Sequence, residues 1–186
     1  MYETFLYIVA SLIKTKSYGS LREIYSSSYL DTTSIQNGQA DYRNFGCFYG
    51  YSDALQIALS TNDQKLYSPQ AALIKRQADR SDLPFVSVIE AELLTLLMTF
   101  LNPGTFWYPG TMHYSSYGNG FPLFVRAIQR KNFKKLAEIT GIDTGEELRT
   151  KVRAAQSEDV DNRWSNFSYH RNFWSSMNMD DLDTIS

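Results

Sequence analysis

The run FVSVIEAELLTLLMTFL, from Phe85 to Leu101, constrains the fold of this chain more than any other stretch. Wound at about 100° per residue, Leu93, Val86, Leu97, Leu101 and Leu94 share one wide face, flanked by Ile89, Leu96 and Phe100. Glu92, Thr95 and Thr99 fall on the opposite side. A helix this apolar needs cover from other elements, so it predicts a central helix ended by Pro103-Gly104.

The neighbouring segments read as that cover. Tyr2, Phe5, Val9, Leu12 and Ile13 recur at helical spacing, and a second short helix is expected from Ser20 to Tyr25. Residues 26–51 are rich in Ser, Thr, Asn, Gly and Tyr and predict an irregular connection, with a short strand inside YRNFGCFYGY. Ser52 is the expected cap of DALQIALS, and Ser68-Pro69 opens QAALIKRQADR, since proline at the first helical position loses no useful hydrogen bond. Further on, a helix from Phe121 to Lys131 is expected to bury Phe121, Phe124, Val125 and Ile128. Another carries Phe133, Leu136, Ala137 and Thr140 up to Gly141. Thr144 with Glu147 three residues later is a capping box for a helix reaching about Ala155. An aromatic segment containing Trp164, Phe167, Arg171 and Trp174 follows, then a frayed acidic tail over 180–186. The fold class predicted is all-α, a single compact domain of about seven or eight helices.

At 186 residues and 43% hydrophobic content the chain can bury a core without disulfides or metal. Its 20 acidic and 18 basic residues leave a net charge of −2, so no global field draws in nucleic acid or anionic lipid. The lone Cys47 suits a reducing compartment. The apolar run from Phe5 to Ile13 has Glu3 before it and Lys14 and Lys16 after it, the reverse of an export signal, and is too short to span a bilayer. A cytoplasmic protein without membrane partners is expected. Because the chain opens directly on a helical pattern with no cap ahead of it, it is also expected to be excised from, or to act within, a larger protein.

Two places invite function. Glu90 falls between Leu97 and Leu101 on the apolar face, so its carboxylate needs a partner, with Arg126 one choice; a structural pair outweighs a general-base role. The connection 102–120 holds 19 residues, more than the roughly 12 to 15 beyond which unstructured connections tend to be functional. It carries Phe106, Trp107, Tyr108, Tyr114 and Tyr117, rings that are costly to leave in water. It forms either a lid on the core or a recognition surface built from Trp107, Tyr108, His113, Tyr117, Asn119 and the nearby Arg126.

Within HYSSYGNGFPLFVR, His113, Gly118, Asn119 and Gly120 fall at the spacing of the histidine and Gly-Asn-Gly of the Fic family, helical enzymes of nucleotidyl and phosphoryl transfer. The segment resembles that motif in four of 12 positions. Tyr117 stands where the family has its metal-binding acid, and Phe121 and Phe124 replace its arginines. The resemblance implies a phosphate-holding loop without the charges that neutralise a triphosphate.

The pair NFKKLAEITGIDTGEELRTKV loosely follows a helix-turn-helix, but Asp143, Glu146 and Glu147 would face phosphates at its reading end. Arg126, Arg130, Lys131, Lys134 and Lys135 cluster just upstream, which keeps nucleic acid as an alternative partner. There is no nucleotide-binding glycine loop, no nucleophile elbow and no paired zinc histidines. The expected function is a non-catalytic helical binding or regulatory module for a protein or small ligand, with no cofactor, metal or catalytic residue. Its rival is an enzyme using Glu90 or His113 as acid-base group.

Overall fold

The computed structural model describes residues 1–31, 40–50, 54, 57, 58, 68–78, 81–115, 120–157 and 170–186. These carry eight α-helices: α1 (Tyr2–Thr15), α2 (Tyr18–Ser26), α3 (Pro69–Ala78), α4 (Phe85–Leu101), α5 (Pro122–Ala127), α6 (Arg130–Thr140), α7 (Gly145–Ser157) and α8 (His170–Ser176). Two short strands, β1 (Tyr29–Asp31) and β2 (Asp41–Arg43), pair antiparallel with Tyr29 opposite Arg43 and Leu30 opposite Tyr42. The all-α reading holds. The strand expected in YRNFGCFYGY is β2, followed by a 3-10 turn over Phe45–Phe48 whose Asn44 side chain accepts the Gly46 N–H. The helix expected after Ser52 and the stripe from Trp164 to Arg171 lie outside the described residues or their described side chains.

Helix α4 is the axis of the fold, and every residue from Val88 to Phe100 is buried. Helix α1 lays Phe5, Leu6, Val9 and Ala10 against it, and α3 and α7 cover further sides. Glu92, Thr95 and Thr99, expected on a polar face, are instead enclosed, while Val86, expected on the apolar face, is 45% exposed. The threonines are buried at little cost because each hydroxyl donates one turn back along the helix, Thr95 to the Ala91 carbonyl at 2.8 Å and Thr99 to that of Thr95 at 2.9 Å. The Thr95 hydroxyl also meets the Tyr25 hydroxyl of α2 at 2.9 Å.

The caps behave as their residues dictate. Ser68 accepts the Ala71 N–H at 3.2 Å ahead of α3, and Thr144 accepts the Glu147 N–H at 3.2 Å at the start of α7. Helix α6 ends on Gly141 at φ +71°, and α1 ends on Lys16, a non-glycine residue at φ +59°.

The expected single helix from Phe121 to Lys131 is broken. Ile185 forms a parallel bridge with Gln129 at the gap between α5 and α6, its N–H donating to the Ile128 carbonyl at 3.1 Å and its carbonyl accepting from Arg130 at 2.8 Å. The Asp183 N–H donates to the Ala127 carbonyl at 3.0 Å. Residues 180–186 are therefore docked rather than frayed, with Leu182 fully buried. Val125, expected inside, is 43% exposed. Among the described residues no helix is long and apolar enough to cross a membrane.

Candidate functional site

The aromatic connection after α4 turns inward. Trp107 is fully buried, stacked on Tyr2 at 5.2 Å between ring centres and packed against Phe5 and Tyr49. Expected as a binding ring, it is a core ring, and no surface is left for a partner. Its indole N–H donates to Oε1 of Glu92 at 3.3 Å, and the Tyr2 hydroxyl donates to the same oxygen. The backbone N–H of Thr111 donates to Oε2 at 2.7 Å, and its hydroxyl donates there too. Burial pushes the Glu92 carboxyl above its usual range, and these donors, Thr111 first, partly restore it. The bulk of the connection is thus a lid latched to α4 through one carboxylate.

Tyr108 and His113 remain half-buried on the lid, joined by a hydrogen bond between the phenol and Nε2. Burial lowers the His113 pKa, so the ring is neutral near pH 7. Tyr117 and Asn119, with Gly118, lie outside the described residues.

A second arrangement is sharper. The end of α1, the start of α2, one side of α4, and α5 and α6 border an open cleft of about 290 Å³. Lys14, Lys16, Arg126 and Lys135 line it, together with Glu90, Tyr18, Ser87 and Asn132. Ala10, Ile13, Pro122 and Leu123 supply its apolar wall. The left-handed turn at Lys16, stabilised by the Ser17 N–H donating to the Leu12 carbonyl at 2.9 Å, folds α2 back beside α1.

Glu90 is 5% exposed, and its Oε1 accepts the Leu123 N–H at 2.5 Å. Burial raises its pKa, while the Leu123 hydrogen bond and then the Arg126 charge act in the opposite direction. Arg126, expected as a partner of Glu90, shares the cleft with it and influences it through space. Burial also raises the Tyr18 pKa, against the Arg126 charge. Lys14 is tied by its ammonium to the Asp82 carbonyl at 2.6 Å, and Lys135 to Asn132 at 3.3 Å. The side chains of Lys16 and Arg126 make no hydrogen bond or ion pair among the described residues.

The five basic residues singled out in the sequence therefore divide. Arg126 and Lys135 line the cleft, Arg126 as an exposed residue at its rim and Lys135 half-buried, Arg130 pairs with Asp183 at 3.4 Å, and Lys131 and Lys134 are exposed outside it. Lys14 and Lys16 also line the cleft, a placement that their position directly after an apolar helix does not reveal, and Glu92, expected at the surface, is sealed inside. Among the described residues no three His, Cys, Asp or Glu side chains come together in a group that could hold a metal ion.

Chemically, the cleft concentrates positive charge beside an enclosed carboxylate in a chain whose net charge is −2. Compared with protein-family models, curated proteins and solved structures, the chain matches none.

Proposed function

We propose that this protein is a non-catalytic helical binding module, acting in a reducing, cytoplasmic setting, whose ligand is a small molecule bearing an anionic group. The observation that carries this reading is the convergence of Lys14, Lys16, Arg126 and Lys135 on one cleft. Like charges gathered around a concavity repel one another in the empty state, and an anion relieves that repulsion. The volume of about 290 Å³ lies just below the usual range of small-molecule sites, about 300 to 1,000 Å³, which favours a small ligand over a protein segment. The aromatic lid supports the site indirectly, because it clamps the helix that carries Glu90.

Calorimetric titration with inorganic phosphate and pyrophosphate tests the idea. Saturable binding that weakens with added salt is expected, with a further loss of about tenfold or more on Lys16→Gln together with Arg126→Gln. No saturable binding of either anion, or equal binding by the double variant, sinks it.

One observation favours a second reading, an acid-base enzyme: Glu90 combines burial, a raised pKa and a place in the cleft. That reading requires turnover of a bound substrate and its collapse in Glu90→Gln, whereas the binding module requires neither.

A further inference from the structure

Resting on the anion-binding reading, we infer that the ligand of the cleft is a phosphorylated polyol, held by its phosphate on the cations and by a hydroxyl donating to Glu90. The two carboxylates of α4 show why. Glu92 accepts from the Tyr2 hydroxyl, the Trp107 indole, and the Thr111 hydroxyl and backbone N–H. Glu90 accepts only the Leu123 N–H among the described residues. An ionised carboxylate has about four acceptor positions, more than the Leu123 N–H alone occupies. Because Glu90 lines the cleft, its remaining acceptor positions are within reach of a donor that enters it.

A cleft built only for anions gains nothing from that carboxylate, which repels phosphate. It is useful when the same ligand also brings a donor. Ala10, Ile13 and Leu123 form an apolar wall in the same cleft, suited to a short carbon backbone joining the two ends of the ligand. Lys16 and Arg126, uncommitted to hydrogen bonds within the described residues, are the cations available for the phosphate.

The test uses glycerol 3-phosphate and propyl phosphate, which share phosphate and carbon count but differ in hydroxyls, titrated into the whole chain by calorimetry. Hydrogen bonds to a charged acceptor make the hydroxylated compound about tenfold or more tighter. In Glu90→Gln, which keeps an oxygen for the Leu123 N–H, that gap is expected to close to about threefold or less, with propyl phosphate bound no more weakly than by the wild type. Equal affinity of the two compounds for the wild type overturns the inference while leaving the anion-binding reading intact, and this comparison needs no variant. A gap that persists in a folded Glu90→Gln variant also overturns it. If neither compound nor inorganic phosphate binds, both readings fall together.

Discussion

The indole N–H of Trp107 donates to the Glu92 carboxylate at 3.3 Å, fastening the connection that follows α4 back onto α4 itself. Both groups are fully buried. Neither is tolerable there alone, since a bare carboxylate and an unpaired indole each carry a desolvation cost, and together with Tyr2 and Thr111 they satisfy one another. The lid is therefore specified by a polar network inside an aromatic cluster.

Trp107→Phe keeps a ring among Tyr2, Phe5 and Tyr49 but removes one donor to Glu92. Equilibrium urea unfolding is expected to show a loss of about 1–3 kcal/mol from that donor and the smaller ring. Trp107→Ala also opens a cavity and should cost about 3–5 kcal/mol. Wild-type stability in Trp107→Ala would show that the ring is not a core element.

Glu92→Gln is isosteric yet poorly matched. Either orientation of the new amide sets its NH₂ group against a fixed donor, the Thr111 backbone N–H or the Trp107 indole. Scanning calorimetry is expected to place the variant about 1–3 kcal/mol below the wild type. An equally stable variant would mean that Glu92 is already neutral and that its proton serves the Tyr2 or Thr111 hydroxyl.

The pH dependence of stability has a definite sign at Glu90. Its folded pKa lies above the ordinary 4.5, so the native state holds this proton more tightly than the unfolded chain does. Its contribution is fully present below 4.5 and is lost as pH rises through the folded value. Measured as wild type minus Glu90→Gln, to cancel Glu92 and the other groups, the unfolding free energy should fall across that window and then level off. A difference that rises with pH would require a lowered pKa and contradict the burial.

Gly145 opens α7 directly beneath the returning tail. A Cβ there would collide with the Leu182 carbonyl oxygen and press on Asp183 at 2.9 Å. The Gly145 N–H donates to the Asp183 carboxylate at 3.3 Å, so Gly145→Ala pushes the tail off its own anchor. A loss of about 1–3 kcal/mol is expected, with faster hydrogen exchange at the Arg130 and Ile185 amides that bridge the tail to α5 and α6. Unchanged exchange at those two amides would show that the tail is held by something else.

Much of this architecture was readable from local pattern. The caps at Ser68 and Thr144, the stop at Gly141 and the length of α4 rest on interactions within a few residues of one another, so spacing alone reveals them. Glu90 is legible as a buried carboxylate because it sits among leucines on the helical wheel. The same wheel misplaced Glu92, because a helix covered on every side has no polar face. The break between α5 and α6 was illegible, since a tail some 55 residues further along the chain causes it.

The amino-acid sequence by itself determined the class of fold, the central apolar helix and most helix ends, since periodicity and capping are local. The tertiary structure alone decided which carboxylate would be sealed and which would border a cleft. It alone brought Lys14 and Lys16 from the end of α1 to Arg126 and Lys135 on α5 and α6. Charges that far apart in the chain acquire a common field only when packing brings together the helices that carry them.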